Sequence, residues 1–363
     1  MESLATKIYK KGIFPIIRNE EFEKVHEIAL EKMRRNDNPI ALNLISRYFK
    51  PKMHRRKTIL KGKNNKELEL EGPIGLAAGF DKNGVAIDFL SNLFDYVTVG
   101  TVLPYKDSEN PKVITENGIE KRRCIRLDEK QAIINCLGFP SLGVENVLGN
   151  IANYKGTTPI SISVSVKPGD SDSQNLQIMQ FSMMVERISH FTPHRIKMIE
   201  ANFSSPNTKG VRVFLQNDLF KELTCVFKND NFSNTILLLK MPPHTNKNEK
   251  KANFELACRW LSTVGDGITA INTVPVKDER LTMGAGGMSG EPIFSTLQRN
   301  VHDYRSDMGN DFILNAVGGV SHKNVNEIID MGVNTIQIYS SLVFGGPGEV
   351  RDMRNKLYGL IRN

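Results

Sequence analysis

Eight short apolar segments set the strongest limit on how this chain can fold. Between residues 73 and 340, each of them is followed by a polar turn and then by a longer segment of mixed composition that suits a helix. Strands that alternate with helices predict a parallel sheet, and eight such strands predict a closed (β/α)8 barrel. The predicted strands are 73–79, 96–102, 159–166, 195–203, 235–241, 267–274, 312–319 and 334–340.

A doubly wound open sheet is the alternative architecture. It is disfavoured because no G-x-G-x-x-G motif follows the first predicted strand. The segment 103–157, between the second and third predicted strands, is expected to be an insertion with a small hairpin of its own.

Residues 1–50 differ in pattern from the rest of the chain. Apolar residues cluster at 13–17 and then recur at roughly helical spacing from Phe22 to Met33, between basic ends. This pattern predicts one or two short amphipathic helices, which either pack on the barrel or lie on a membrane surface. We therefore divide the chain into a small N-terminal helical extension, 1–50, and a barrel, 51–363.

Composition disfavours several classes of protein. The net charge is +8, but the basic clusters at 34–35, 50–57 and 120–123 lack interleaved aromatic residues, which argues against a nucleic-acid partner. The four cysteines include no C-x-x-C pair, so neither a structural zinc site nor a disulfide framework is expected, and no metal-ligand spacing occurs. No run of 18 or more apolar residues is present, so no membrane-spanning helix is expected.

Polar residues collect where the predicted strands end. In a (β/α)8 barrel these C-terminal ends meet at one face and carry the reactive groups. The fourth strand runs into NFSSPNTKG, 202–210, which is rich in uncharged hydrogen-bonding side chains. The glycines 318–319 after the seventh strand and residues 339–340 after the eighth stand where this fold binds phosphate.

Two lysines and a set of asparagines indicate what this face binds. Lys240 ends the fifth strand with no acidic residue nearby in sequence, so we expect it to face an anion or an electron-rich ring such as a flavin. The asparagines suit a small planar ligand with several C=O and N–H groups, and Lys82 would neutralise a carboxylate on it. They are Asn135, Asn202, Asn207 and Asn272.

No histidine lies at a predicted strand end, and no pair of carboxylates is placed there for acid-base work. Ser205 is then the remaining base, provided that its proton can leave through a water or Thr208. The histidines expected on the surface are His190, His194, His244, His302 and His322.

Taken together, the motifs resemble those of dihydroorotate dehydrogenases, specifically the membrane-associated, quinone-linked class. The resemblance covers residues 13 to 355. It rests on GLAAGFDKNG (75–84), IINCLGF (133–139), NFSSPNTKGVR (202–212), INT (271–273), GGMSGEP (286–292), AVGGV (316–320) and YSSLVFGGP (339–347).

The resemblance implies a barrel with bound flavin mononucleotide (FMN) that oxidises dihydroorotate to orotate in pyrimidine biosynthesis. FMN would be the hydride acceptor and a quinone the final electron acceptor. It also implies a peripheral location at the mitochondrial inner membrane, with the N-terminal helices forming a quinone tunnel and a membrane contact.

Roles for individual residues follow from the same resemblance. Ser205 is implied as the catalytic base, with Thr208 and Phe139 framing the proton exit. The implied substrate ligands are Lys82, Asn135, Asn202, Asn207, Asn272 and Thr273. The implied FMN ligands are Ala77, Ala78, Gly79, Thr101, Lys240, Ser289, Gly290, Gly318, Gly319, Tyr339 and Ser340, and the implied quinone-site residues are His26, Arg126 and Tyr339.

The third strand departs from the family pattern. An asparagine that contacts the flavin is expected there, but the chain reads SISVSVKPGD, with Ser163 or Ser165 as the candidate substitute. This departure leaves two alternatives to the active enzyme. One is a catalytically retired relative that serves as a structural subunit of a larger mitochondrial complex. The other is a related flavin reductase that acts on another pyrimidine or alkene.

Overall fold

Eight parallel strands close into a barrel in the computed structural model, which describes residues 2–36, 38–51, 56–106, 110–116, 118–166, 173–191, 194–208 and 210–359. Each strand lies inside one of the eight predicted segments, so the (β/α)8 prediction is confirmed. The strands are β1 (Ile74–Leu76), β2 (Tyr96–Val102), β3 (Ile160–Val164), β4 (Ile196–Ala201), β5 (Ile236–Lys240), β6 (Gly267–Ala270), β7 (Ile313–Val317) and β8 (Thr335–Ile338).

Burial explains why these segments read as nearly continuous apolar runs. Every residue of β2, β3 and β5 is buried, because one face of each strand fills the barrel and the other packs under the outer helices. The helices between and after the strands are α5 (Ile87–Leu90), α6 (Val144–Asn153), α7 (Gln174–Ser189), α8 (Asn217–Cys225), α9 (Lys247–Thr263), α10 (Phe294–Met308), α11 (Val325–Asp330), α12 (Ser340–Gly345) and α13 (Gly348–Leu357).

A hairpin closes the N-terminal end of the barrel. Its strands, Thr58–Lys61 and Glu67–Leu70, bring Leu60 and Leu70 against side chains near the starts of the barrel strands, such as Tyr96. The opposite, C-terminal end of the barrel is therefore the end that remains available for a site.

The predicted insertion folds into more than one hairpin. Two of its strands join two that follow β6 in a four-stranded antiparallel sheet, ordered Val274–Lys277, Ala285–Gly290, Ala132–Asn135 and Cys124–Leu127. Its other strands are Tyr105–Lys106, Val113–Glu116, Ile119–Arg122 and Leu142–Gly143. Short 3-10 helices span Asp128–Lys130, Val211–Leu215, Asp230–Phe232 and Glu291–Ile293.

The N-terminal extension is helical, as expected, but it contains four α-helices and a π-helical segment instead of the one or two helices predicted. It consists of α1 (Leu4–Ile8), a π-helical segment (Tyr9–Ile13), α2 (Phe14–Ile17), α3 (Phe22–Arg35) and α4 (Pro39–Phe49). None of the helices among the described residues combines the length and the apolar character needed to cross a membrane. The division of the chain at residue 50 stays a prediction.

Helix α1 packs on the C-terminal part of the chain. The hydroxyl of Thr6 donates to Asp352 Oδ2 at 2.6 Å, and the backbone N–H of Ser3 donates to Asp352 Oδ1 at 2.7 Å. The hydroxyl of Tyr9 donates to the carbonyl of Val343 at 2.7 Å. The extension thus contacts the segment that directly follows β8.

Candidate active site

A cavity opens at the C-terminal end of the barrel, and most of the predicted site residues line it. These are Ala77, Ala78, Gly79, Lys82, Thr101, Asn135, Phe139, Asn202, Ser205, Asn207, Lys240, Asn272, Thr273, Ser289, Gly318 and Tyr339. They come from the ends of β1, β2, β4, β5, β6, β7 and β8 and from the antiparallel sheet above them. The barrel topology therefore brings together residues that are far apart in sequence.

The four asparagines hold one another in pairs. Asn207 Nδ2 donates to Asn135 Oδ1 at 2.8 Å, which joins the loop after β4 to the insertion. Asn272 Nδ2 donates to Asn202 Oδ1 at 3.0 Å, and Asn202 Nδ2 donates in turn to the hydroxyl of Thr101 at 2.9 Å. These bonds fix the amide orientations, so the remaining donors and acceptors have defined directions.

Several buried oxygen atoms at this end of the barrel have no hydrogen-bond partner among the described residues. Two of them, Asn207 Oδ1 and Thr273 Oγ1, belong to side chains that line the cavity. A buried acceptor without a partner costs about 1–3 kcal/mol, unless a ligand or a water supplies one. These atoms therefore indicate a polar ligand that carries hydrogen-bond donors.

Ser205 lies on the cavity wall directly beyond β4. It is buried, and its Oγ accepts a hydrogen bond from the backbone N–H of Asn207 at 3.2 Å. Phe139 also lines the cavity. Thr208 does not, but its hydroxyl is buried without a partner among the described residues, three positions beyond Ser205.

Lys240 has an acidic neighbour that the sequence conceals. Its Nζ donates to Glu200 Oε1 on the adjacent strand β4 at 3.3 Å. The sequence has no acidic residue close to Lys240 along the chain, and this partner was not predicted. Strands β4 and β5 are parallel neighbours, which is why residues 40 positions apart can meet. Lys240 nevertheless lines the cavity, as predicted for a residue that faces a bound ring.

Neither candidate substitute, Ser163 on β3 or Ser165 directly after it, lines the cavity. The hydroxyl of Ser163 lies 3.1 Å from the hydroxyl of Thr101, and Thr101 does line it. The hydroxyl of Ser165 instead donates to the carbonyl of Val166 at 3.0 Å. Ser163 therefore touches the site only through Thr101, and Ser165 does not touch it.

The predicted phosphate-binding loops pack against each other. Gly318 lines the cavity, whereas the predicted ligands Gly319 and Gly290 do not. A Cβ at Gly319 would come within 2.6 Å of the carbonyl oxygen of Gly290, and Gly319 has a φ of +72°. The hydroxyls of Ser289 and Ser340 lie 2.9 Å apart and join the segment before α10 to the start of α12.

Tyr339 connects the cavity with helix α3. It lines the cavity, and its ring stacks on the imidazole of His26 with the ring centres 6.2 Å apart. His26 Nε2 donates to the carbonyl of Phe80 at 2.7 Å. Burial, helped by the charge of Lys82, lowers the pKa of His26 from 6.5 to about 4, so the ring is neutral at neutral pH.

Arg126 does not line the cavity but packs against the N-terminal extension. Its guanidinium stands over the ring of Phe14, 5.2 Å from the ring centre, and donates to Asp128 at 2.7 Å and to the carbonyl of Arg18. Phe14, Phe22 and Tyr339 share one apolar cluster. The three predicted quinone-site residues thus lie where the N-terminal helices meet the barrel.

The similarity of this chain to known proteins identifies its family. The family model for dihydroorotate dehydrogenase matches residues 62–361. The chain belongs to the dihydroorotate dehydrogenase family. A relative from Pseudomonas fluorescens, named dihydroorotate dehydrogenase (quinone), is 31% identical over 300 residues, covering 78% of this chain and 83% of its own. The resemblance to the quinone-linked class is therefore confirmed.

Two further similarities cover nearly the whole chain. A dihydroorotate dehydrogenase (quinone) from Aliivibrio salmonicida is 27% identical over 371 residues, covering 97% of this chain and 99% of its own. The crystal structure of the Eimeria tenella dihydroorotate dehydrogenase in complex with ferulenol matches with a TM-score of 0.73 at 22% identity, covering 99% of this chain and 95% of that one. The latter likeness concerns the fold.

Sequence reasoning missed the apolar part of this family member's cavity. The additional lining residues are Cys124, Ile133, Leu137, Gly138, Pro140, Ile271, Ile293 and Val317. Two of them, Cys124 and Ile133, belong to the sheet above the barrel, whose pairing the sequence does not specify. Burial raises the pKa of the Cys124 thiol to about 12, so this cysteine is a small apolar wall residue and not a nucleophile.

Proposed function

We propose that this chain oxidises dihydroorotate to orotate, with FMN as its cofactor and a quinone as the final electron acceptor. The observation that carries the proposal is the convergence of Ser205, Lys82 and the four asparagines on one cavity at the C-terminal end of the barrel. The names of the relatives support the choice of substrate and of electron acceptor.

The substrate would lie among the asparagines and Thr273. Asn207 Oδ1 and Thr273 Oγ1 are buried acceptors that find no partner in the described part of the chain, and a ring that carries N–H groups would satisfy them. Lys82 lines the same cavity and would pair with the carboxylate of the substrate. Discrimination would come from the buried polar groups, because an analogue that lacks the matching donors leaves them unpaired.

Ser205 would accept the proton that the substrate loses. The backbone N–H of Asn207 already donates to its Oγ, which fixes the position of that oxygen. A serine is a weak base, so its own proton must move on. Thr208 Oγ1 is a buried hydroxyl three positions away that has no hydrogen-bond partner among the residues that the structure describes, so it could take up that proton, and Phe139 would shield this exit from bulk water.

The residues present fit FMN. Ala77, Ala78, Gly79 and Gly318 line the cavity with little or no side chain, and a Cβ at Gly79 would already meet the ring of Tyr339 at 3.6 Å. Lys240, Thr101 and Ser289 also line the cavity and would supply polar contacts to the flavin, and the loops that carry Gly318, Gly319 and Ser340 would hold the phosphate. When bound, FMN would supply a two-electron acceptor that the amino-acid side chains lack.

The quinone would approach from the side of the N-terminal helices. His26 and Arg126 lie there, and Tyr339 touches both His26 and the cavity. Because His26 Nε2 carries the proton that it donates to Phe80, Nδ1 is left as the acceptor of the imidazole. Substrate and quinone would then reach the cofactor from different sides.

A steady-state assay tests this proposal. Purified protein reconstituted with FMN is mixed with dihydroorotate and a short-chain quinone, while orotate formation and quinone reduction are followed together. Orotate formation and quinone reduction are expected to proceed at equal rates. Omitting either dihydroorotate or the quinone should stop the reaction. Orotate formed without quinone reduction would remove the quinone from the proposal. Location at the mitochondrial inner membrane stays a prediction.

A further inference from the structure

A buried ion pair lies directly under the cavity wall. Glu200 and Lys240 approach to 3.3 Å, and their side chains are 0% and 7% exposed. Lys240 lines the cavity, whereas Glu200 does not line it and is fully buried. Lys240, one of two lysines that line the cavity, thus has a carboxylate as its partner.

Lys240 is the side chain that donates a hydrogen bond to Glu200 among the described residues. Its second oxygen, Oε2, is buried without a hydrogen-bond partner among the described residues. Ser163 is the residue opposite Glu200 in the register of β3 and β4, but its hydroxyl is directed to Thr101. A carboxylate is costly to bury unless a charge or donors compensate it. Its pairing with Lys240 is therefore the interaction that accounts for its position.

The pair alters what a ligand in the cavity experiences. A fixed positive charge beside the flavin ring stabilises the reduced cofactor, which carries extra negative charge. A carboxylate 3.3 Å from that ammonium group cancels part of its field in a low-dielectric interior. Bonding to Glu200 also restricts where the flexible lysine side chain can place its charge.

We propose that Glu200 is a positioning residue that holds Lys240 against the cavity wall and makes the bound cofactor harder to reduce. This inference rests on the proposed function, since it requires FMN in this cavity. A cofactor with a lower reduction potential passes its electrons more readily to a quinone and accepts them less readily from the substrate. Glu200 would therefore shift the balance between the two half-reactions.

The test is the midpoint potential of bound FMN in the Glu200→Gln variant. FMN takes up two electrons from an external reductant, anaerobically and in equilibrium with a reference dye. Glutamine keeps the shape and the acceptor for Lys240 but removes the charge. We expect the equilibrium to shift at least tenfold toward reduced FMN, a rise of about 30 mV for a two-electron couple.

Two further variants isolate the cause. Glu255→Gln makes the same change at an exposed position on α9 and should leave the potential unchanged. In a Lys240→Met background, Glu200→Gln should shift the equilibrium less than threefold, because the residue acts through the lysine. Should Glu200→Gln fail to fold, Glu200→Asp, which shortens the side chain, is expected to shift the potential in the same direction by less.

The outcomes separate this inference from the proposed function. Equal or lower potentials in the Glu200 variants, with FMN bound, overturn the role of Glu200 alone. A full shift that persists without Lys240 overturns the action through that lysine. If the unmodified protein binds no FMN, the proposed cofactor fails and the inference fails with it.

Discussion

Ser205 is the residue on which the proposed chemistry depends most. Replacing it with alanine removes the hydroxyl and the one hydrogen bond that its Oγ accepts from the backbone N–H of Asn207, but it leaves the main chain unchanged, so the fold and the cofactor wall should persist. We expect Ser205→Ala to slow FMN reduction by dihydroorotate by ~10²–10⁴ near neutral pH, the usual effect of removing a positioned base. Stopped-flow absorbance measures this rate, and Ser204→Ala, whose hydroxyl contacts Asn272, is the comparison variant. A Ser205→Ala rate close to that of the unmodified protein would contradict the assignment.

The buried imidazole of His26 should make the free energy of unfolding depend on pH. Its pKa is about 4 when folded and about 6.5 when unfolded, so between these values the unfolded state binds more protons. Stability should therefore fall as pH drops from 6.5 toward 4, by ~3 kcal/mol in total from this residue. Urea unfolding at several pH values measures the dependence.

Two variants provide the comparison for His26. His26→Leu removes the titrating group and should flatten the curve between pH 6.5 and 4, whereas His190→Gln, at an exposed position, should leave the slope unchanged. An unchanged slope in His26→Leu would mean that other groups cause the acid sensitivity.

At the scale of single residues, the sequence predicted which residues line the cavity better than it predicted which residues contact one another. The strand-end asparagines, Ser205 and Lys82 do meet at one cavity, because the barrel topology decides that meeting. The partner of Lys240 depended on the register of two strands and was missed. His244 was expected on the surface but is buried, because Asp303 on α10 accepts from its Nε2 at 3.0 Å. Such partners come from distant segments, and local pattern does not reveal them.

At the scale of elements, α3 is attached to the insertion by ion pairs of different depth. Arg123 Nε donates to Glu23 Oε2 at 3.0 Å, with only 2% of the arginine side chain exposed. Lys112 and Glu27 form a pair at 2.7 Å in which both side chains are about half exposed. Removing one partner of a buried pair is far more costly than removing one of an exposed pair.

We therefore expect Glu23→Ala to lower the free energy of unfolding by ~3 kcal/mol and Glu27→Ala by less than ~1 kcal/mol. Because α3 carries His26, Glu23→Ala should also reduce turnover with quinone more than it reduces the anaerobic reduction of FMN by dihydroorotate. Chemical unfolding and the two kinetic assays measure these effects. Equal changes in the two helix variants would show that the buried pair does not anchor α3.

The strands of the barrel were the most predictable elements. Their apolar runs follow from burial on both faces, and their order follows from the parallel βα repeat. The four-stranded sheet above the barrel was not predicted, because it pairs residues 124–135 with residues 274–290 and neither segment is strongly apolar along its length. That sheet supplies Cys124 and Ile133 to the cavity, so the missed pairing also hid part of the site.

At the scale of the whole molecule, exposed apolar side chains concentrate on the N-terminal helices. Among the described residues, Leu4, Ile16, Ile40 and Leu44 are each more than 60% exposed. The net charge of the chain is +8, and basic residues near an anionic surface contribute about 1 kcal/mol each. We propose that this region attaches reversibly to anionic membranes.

Sedimentation with phosphatidylserine-containing vesicles tests the attachment. Binding should weaken as salt rises, and Ile16→Ser combined with Ile40→Ser should weaken it further. Ile119→Ser changes another isoleucine that is more than 60% exposed, on the insertion hairpin, and should have no effect. Binding that survives high salt in all three proteins would contradict a surface attachment through these helices.

The central claim is that the cavity at the C-terminal end of the barrel holds FMN and passes electrons to it from dihydroorotate. The most direct measurement is the visible absorbance of purified, FMN-reconstituted protein before and after anaerobic addition of dihydroorotate. We expect bound flavin bands that bleach on addition of the substrate and return when a quinone is admitted. A protein that retains no flavin with excess FMN supplied would contradict the claim and favour the structural-subunit alternative, and bound flavin that does not bleach would contradict the choice of substrate.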